Sequence, residues 1–339
     1  MPKVTFHKHP LQFNEPGGTS RGVLLEKPSW IIRLEEGNKI GIGEISLIPG
    51  LNPESPELVQ AALDCGDSVL NMNLDHLPSL RFGLEMAQLS LQSASPFLLF
   101  PSAFTQGKAG IRINGLIWMG NKDTMVKRVK EKLDQGFRCL KLKVGAINFE
   151  EELSILKEIR KNFGVNDLEI RLDANGAFTG IAEQRLKALH PFGIHSIEQP
   201  IKPRHWQEMT DLCRQAIIPI ALDEELIGIT TEAEMRTIIH TIAPQYLIFK
   251  PSLIGGFGKC DNWIQLCSEN NIPWWATSAL ESNIGLNAIA QWVFQKNNAL
   301  PQGLGTGGVF SNNFSSPLHL KQDELYFSPE QSWSTIPGL

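Results

Sequence analysis

The sequence predicts an α/β protein, a (β/α)8-type barrel preceded by a smaller α+β domain. Three observations carry that prediction. A strand-and-helix rhythm repeats every 25–30 residues from about residue 110, ionisable residues recur at one place in the repeat, and the first hundred or so residues lack the rhythm. A chain of 339 residues suits one large domain plus a smaller one.

Taken in order, VTFHKHPLQF and WIIRLEEGNKIGIGEI read as antiparallel strands joined through polar turns. SPELVQAALDCGDSVL and LPSLRFGLEMAQLSLQ read as helices, the second with Leu80, Leu84, Ala87 and Leu91 on one face. These make an α+β domain over residues 1–108, with a boundary near Gly107–Gly110. The catalytic barrel then occupies 109–310. Its strands are expected in IRINGLI (111–117), FRCLKLKV (137–144), LEIRLD (168–173), IHSIE (194–198), IPIALD (218–223), YLIFK (245–250) and IPWWAT (272–277). Amphipathic stretches such as FEEELSILKEIRKNF (149–163) and TEAEMRTIIH (231–240) supply helices between them. Strand ends near 143, 173, 198, 223, 250 and 277 lie 30, 25, 25, 27 and 27 residues apart. Such a repeat demands a parallel sheet, because each crossover must carry a helix back. The QGLGTGGVF region offers an eighth strand. An open doubly wound sheet is the alternative, but its GxGxxG turn is missing. The segment 311–339, rich in Ser, Asn and Pro, is expected to pack back on the first domain.

Bulk properties narrow the function. Hydrophobic residues at 42% and charged residues at 20% are ordinary globular values. With 31 Lys and Arg against 36 Asp and Glu, the net charge of −5 argues against a nucleic-acid partner or an anionic membrane surface. Cys65, Cys139, Cys213, Cys260 and Cys267 are scattered, odd in number and without a CxxC pair, which fits a reducing compartment. MPKVTFHKHP lacks an apolar signal core, and no apolar run is long enough to span a bilayer, so a cytoplasmic location is expected.

The chemistry sits at the strand ends. Lys141 and Lys143 close the second strand, Asp173 the third, Glu198 the fourth, Asp223 the fifth and Lys250 the sixth. In a barrel these ends converge on one mouth, where active sites are built. Alternation puts Cys139, Lys141 and Lys143 on one side and pairs Asp173 with Asn175. Asp223 heads the run Asp223-Glu224-Glu225; alternation turns Glu224 the other way and leaves Glu225 past the strand, so Asp223 is the expected ligand. Asp173, Glu198 and Asp223, with no His or Cys at equivalent positions, form an all-oxygen site for Mg²⁺, with Mn²⁺ as a substitute. The plainer reading, ion pairs between strand ends, does not explain so many buried charges in one place. Removing a proton beside a carboxylate piles charge on the carboxylate oxygens. A cation there and a lysine with a pKa depressed by cation and burial would allow it. The expected partner is thus a small-molecule carboxylate substrate.

At KLK (141–143), DAN (173–175), IEQP (197–200), LDEE (222–225) and FKPS (249–252) the chain resembles the enolase superfamily, and the lysine pair resembles its muconate-lactonising-enzyme-like subgroup. Sites of that superfamily combine a Lys or His base with one or two Mg²⁺. The resemblance implies a modified TIM barrel with the N-terminal α+β domain capping its mouth. It also implies that Lys143 and Lys250 face each other across the substrate. GIGEISLIPGLNPES (41–55), INGLIWMG (113–120), TSALESNIGLNAIA (277–290) and QGLGTGG (302–308) are most similar to the o-succinylbenzoate synthase family. The implied reaction is syn dehydration of 2-succinyl-6-hydroxy-2,4-cyclohexadiene-1-carboxylate to 2-succinylbenzoate, a step of menaquinone biosynthesis. In it Lys143 would take the proton and return it to the departing hydroxyl. Lys250 would stabilise the enediolate, Lys141 would lower the pKa of Lys143, and Asn175 and Ser278 would orient or touch the substrate.

Dipeptide epimerases and N-acylamino acid racemases use the same two lysines and are the nearest rivals. The epimerases usually carry Asp-x-Asp after the seventh strand, where this chain reads Thr277-Ser278-Ala279-Leu280-Glu281. A Schiff-base lyase using Lys250 would leave the three acids unexplained, and a non-catalytic barrel would leave both acids and lysines so. Gly303, Gly305, Gly307 and Gly308 are read as a tight turn rather than a phosphate cradle, and Trp274 and Trp275 as packing. His195 and His240 are read as surface or satisfied core residues. Trp30 and the Glu15–Ser20 segment are candidates for a substrate-reading loop.

Overall fold

The computed structural model describes residues 1–19 and 22–336. Strands β1 (Lys3–Lys8), β2 (Leu11–Thr19), β3 (Gly22–Lys27), β4 (Ser29–Glu36) and β5 (Lys39–Ser46) open the chain. They form an antiparallel sheet of order β1-β4-β5 and a separate β2-β3 hairpin. The helix Pro78–Gln92 lies directly on β5. Only glycine permits that approach: a Cβ at Gly43 would stand 1.9 Å from the Gly83 carbonyl oxygen, and one at Gly41 2.1 Å from that of Ala87. Leu80, Leu84, Ala87 and Leu91 are buried with Ile32, Leu34 and Ile45, so the expected helix face is the packed one. Trp30 corrects an expectation. It belongs to β4, is 1% exposed in this core, and donates its ring N–H to Gln60 Oε1 at 2.9 Å, so it reads no substrate.

After a short β6 (Ile111–Arg112), seven strands run parallel in chain order: β7 (Gly115–Ile117), β8 (Cys139–Lys143), β9 (Glu169–Asp173), β10 (Ser196–Glu198), β11 (Ile220–Leu222), β12 (Tyr246–Phe249) and β13 (Trp274–Ala276). The eighth place is taken by residues 302–303, which bridge Thr277 to Gly303 and Ile113 to Gln302. A Cβ at Gly303 would meet Thr277 Oγ1 at 2.4 Å, which is why the closing strand carries glycine there. The barrel is therefore the fold, and the open-sheet alternative falls. IRINGLI divides: Ile111–Arg112 pair antiparallel with β15 (Glu324–Phe327), itself in a hairpin with β14 (Leu318–Lys321), while Gly115–Ile117 enter the barrel.

Helices return the chain after each strand and begin where the sequence offers caps. Asn121 and Asn148 accept from helix N–H groups, and Thr231 with Glu234 makes a capping box. Leucines and isoleucines of these helices share one core with the outer faces of the strands. The C-terminal segment touches both halves. Ser311 donates its N–H to the Gln12 carbonyl at 2.9 Å and Asn312 holds the Pro10 carbonyl, whereas the β14-β15 hairpin attaches to β6 and Trp333 stacks on Phe97 at 4.2 Å. Trp275 is buried among barrel strands, and Trp274 packs outward against Phe249 and Trp292. Among the described residues no helix is long and apolar enough to cross a membrane.

Candidate active site

The strand ladder sets the site. In register, Lys143 stands beside Asp173 and Asp173 beside Glu198, so three consecutive strands bring their last residues side by side. Asp223 follows β11 and Lys250 follows β12 by one residue each. Gln199, buried next to Glu198, accepts from the N–H groups of Asp223 and Glu225 at 3.3 Å each, fastening the fifth strand end to the fourth. Asn175 has a left-handed backbone (φ 45°), a conformation asparagine tolerates, and its N–H donates to Asp173 Oδ1 at 3.2 Å.

All the strand-end charges named from the sequence meet here. Lys141 Nζ lies 2.9 Å from Asp173 Oδ2 and also contacts Glu198. Lys143 Nζ donates to Asp173 Oδ2 at 2.6 Å and to Asn175 Oδ1 at 2.7 Å. Lys250 contacts Asp223 and stands 3.6 Å from Glu198. Asp173 is 0% exposed, Glu198 2% and Asp223 3%. Among the described residues no three His, Cys, Asp or Glu side chains converge at metal-holding distance. The physical reason is local: Lys141 and Lys250 lie between the acids and answer their charge. The donor set still fits a hard cation, since all three side chains offer oxygen and Glu198 Oε1 is buried without a hydrogen-bond partner.

Burial would raise the Asp173 carboxyl, but the ammoniums of Lys141, Lys143 and Lys250 outweigh it and hold the group well below the usual carboxylate range. Glu198 goes the other way: burial, then the neighbouring Asp173 charge, pushes it up to about 7. Burial also opposes the charges of Lys141 and Lys250, yet the surrounding acids, Asp173 for the first and Asp223 for the second, raise both above ordinary lysine. Here these two ammoniums are themselves the counter-charges of the acids.

A cavity opens over these side chains at the barrel mouth. Lys141, Lys143, Lys250 and Asn175 line it below, Thr277–Leu280 and Thr306 form one wall, and Ile48, Leu51, Leu116 and Trp118 supply apolar cover. Ile48 and Leu51 come from the segment after β5, so the N-terminal domain covers the barrel mouth. Ser278 is in the wall, but its hydroxyl donates to Glu281 Oε2 at 2.5 Å while accepting from Thr306 Oγ1 and the Leu280 N–H. Its proton is thus spent inside the wall.

Glu224 was missed by the alternation argument, which needed β11 to continue. The strand stops at Leu222, Asp223 turns out of extended geometry (φ −128°, ψ −80°) and a 3₁₀ turn follows. Glu224 therefore also reaches the cavity, where its Oε1 accepts from Asn175 Nδ2 at 2.8 Å and its Oε2 has no partner. Glu225 faces away, accepting from the Arg204 N–H and Trp206 Nε1 at 2.9 and 2.6 Å. Asn114 Oδ1 and Thr277 Oγ1 are further buried oxygens without partners on residues lining the cavity. Nothing in the sequence pattern singles out either. Glu15, at the β2-β3 hairpin, pairs with Arg128 at 3.1 Å beside a neighbouring cleft, and Ser20 lies outside the described residues.

Comparison with known proteins gives the family. The model of the enolase C-terminal domain-like family matches residues 124–324, and that of the MenC N-terminal domain matches residues 4–91. The o-succinylbenzoate synthase of Desulfotalea psychrophila is 44% identical, covering 93% of this chain and 96% of that protein. The crystal structure of MenC from the same organism superposes with a TM-score of 0.85 at 40% identity, covering 96% of this chain and 99% of that one. An N-succinylamino acid racemase of an Amycolatopsis species is 29% identical over 50% of this chain and 44% of its own length.

Proposed function

The chain belongs to the o-succinylbenzoate synthase branch of the enolase superfamily, and from that membership we propose that it is a lyase forming 2-succinylbenzoate. The reaction is the syn dehydration of 2-succinyl-6-hydroxy-2,4-cyclohexadiene-1-carboxylate. The C–H bond beside the carboxylate and the C–O bond at the neighbouring carbon break, water leaves, and the ring becomes aromatic.

The observation that carries this reading is the placement of Lys143 and Lys250 in one cavity. β8 and β12 are four positions apart in an eight-position barrel, so the two amines approach from opposite sides. Lys143, held by Asp173 and Asn175, takes the proton and delivers it to the departing hydroxyl on the same face. Lys250 stays charged and lies over the other face, where its ammonium favours the electron-rich enediolate. Lys141, between Asp173 and Glu198, adds positive charge to the side of the cavity where Lys143 stands. Asp173, Glu198 and Asp223 would hold a divalent cation, Mg²⁺ first and Mn²⁺ second, which when bound supplies positive charge for the substrate carboxylate. Ile48, Leu51 and Leu116 keep water from the ring. The five free thiols fit a reducing compartment, and we place the enzyme in the cytoplasm.

The same opposed amines suit proton exchange at one carbon, so N-succinylamino acid racemisation is the second reading. The test runs the cyclohexadiene substrate, N-succinyl amino acids and dipeptides side by side with added Mg²⁺. Formation of 2-succinylbenzoate as the dominant activity is expected. Its absence, with deuterium washing into an N-succinyl amino acid, would hand the assignment to the racemases.

A further inference from the structure

Behind the cavity wall lies a group of buried charges the reaction does not use. Lys27 at the end of β3, Glu44 on β5 and Glu281 past the seventh barrel strand are each 0% exposed. Lys27 Nζ donates to Ser46 Oγ and, at 3.0 Å, to the Leu280 carbonyl. Glu44 accepts from the Ser282 N–H at 2.7 Å, the Ser282 hydroxyl at 2.6 Å and the Gly285 N–H at 2.8 Å, so a side chain of the N-terminal domain caps the barrel helix Asn283–Phe294. Glu281 accepts from the hydroxyls of Ser252 and Ser278, each at 2.5 Å.

Three points turn this from packing into a device. First, Glu281 grips two strand-end segments at once: Ser252 is two residues beyond Lys250, and Ser278 lies in the cavity wall. Second, Glu44, Ser46 and Ile48 follow one another at alternate positions. The strand that carries the contacts to 280–285 ends at Ser46, and the chain two residues further on brings Ile48 to the cavity. Third, burying three charges costs more than burying aliphatic side chains, so the cluster is a poor way to gain stability alone. What it adds is direction, because hydrogen bonds from charged groups fix distance and angle where apolar contacts allow sliding. Burial lowers Lys27 to about 8 while Glu281 and Glu44 oppose the fall, so the amine is charged at neutral pH.

We propose that Lys27, Glu44 and Glu281 act as an interdomain register, positioning the wall Thr277–Leu280 and the Lys250 segment against the N-terminal domain. They are positioning residues, since none touches the cavity. The inference rests on reading that cavity as the active site.

The test uses the full-length enzyme with Mg²⁺, comparing Lys27→Met, Glu281→Gln and the double variant. Lys27→Met leaves two buried carboxyl groups without their amine, whereas the double variant removes one acid together with the amine. Each single variant should raise KM for the cyclohexadiene substrate at least tenfold, and Lys27→Met should also lower the melting temperature. The double variant should regain most of the melting temperature but not KM, because the link from Lys27 to the Leu280 carbonyl is still lost. Recovery of KM together with melting temperature would reduce the cluster to a stability element and overturn the proposal. So would KM and kcat within twofold of the parent in the folded single variants. A parent that fails to turn the substrate over overturns the assigned reaction instead. The register is then judged by hydrogen exchange: faster deuterium uptake confined to 277–286 in the variants supports it, and unchanged uptake there overturns it.

Discussion

The two ends of the same barrel strands bury charge in opposite ways. At the floor, β9 begins with Glu169 and Arg171; at the mouth it ends on Asp173. Arg171, 1% exposed, donates through Nε to Glu169 Oε1 at 2.6 Å and through Nη1 to the Pro301 carbonyl at 2.8 Å, and its guanidinium lies 4.1 Å from the Trp275 ring centre. His195 completes this end, bonded to Ser196 Oγ at 2.9 Å and packed on Tyr246 at 4.9 Å. One cation is thus matched by one acid, a carbonyl and a ring, leaving its Nη2 and the Trp275 ring N–H without hydrogen-bond partners. At the mouth, three lysines share three acids, Glu198 and Glu224 keep oxygens without partners, and a cavity adjoins them. Charge that is matched locally holds the barrel together; charge left with spare valence beside a cavity is available for chemistry.

The largest expected effect tests that division directly. Lys143→Ala should cut kcat by about 10²–10⁴-fold, the usual range for a positioned proton-transfer group, with little change in melting temperature because Asp173 keeps Lys141. Lys250→Ala should cut kcat as far while also losing stability, because it strips the buried Asp223 of its amine. Arg171→Met should do the reverse, holding kcat within a few-fold while losing stability. Steady-state kinetics and thermal unfolding on the same preparations decide it, and a floor variant as inactive as the mouth variants would break the comparison. The stability loss for Arg171→Met should be about 3 kcal/mol in chemical denaturation, the lower part of the range for breaking a buried ion pair, because Glu169 keeps some contact with solvent.

Cation addition separates the ends in a second way. At one hundred times its dissociation constant, Mg²⁺ should stabilise the parent by about 2.7 kcal/mol. Arg171→Met should retain that increment and Asp173→Asn should lose it, as read by thermal shift with and without chelator. An Asp173→Asn variant that keeps the full shift would mean the acids were wrongly chosen as ligands.

These contrasts also show what the sequence made legible. The repeat announced itself because one helix-and-strand unit needs nearly constant length, and the strand-end position of Lys141, Lys143, Asp173, Glu198, Asp223 and Lys250 followed from it. Glu224 was hidden because alternation holds only while a strand continues, and β11 stops after three residues. Trp30 was misplaced because an aromatic residue in an extended run looks alike in a core and in a loop. The eighth strand was faint because residues 302–303 hold their place through isolated bridges rather than a ladder. The cluster of Lys27, Glu44 and Glu281 could not be foreseen at all, since its members lie 17 and 237 residues apart and only the packing of the two domains joins them.

That cluster is the intermediate case, and the smallest prediction concerns it. Lys27 is buried like Arg171, yet its hydrogen bonds go to a hydroxyl and a carbonyl rather than to a carboxylate. Burial takes its pKa from 10.5 down to about 8. Between those values the unfolded chain holds a proton on Lys27 that the folded chain has released. Unfolding therefore takes up that proton, and stability rises with pH across the window, by about 1.4 kcal/mol per pH unit from this group. Below pH 8 the full burial penalty is present; above 10.5 it is gone. Glu44 is raised by burial and held down in part by Lys27, so the quantity to measure is the difference between the parent and Lys27→Met, followed across the lysine's own window. Denaturation at pH 8, 9 and 10 should show the parent gaining on the variant. A constant difference would mean that Lys27 is as well matched as Arg171, and would move the cluster to the floor's side of the comparison.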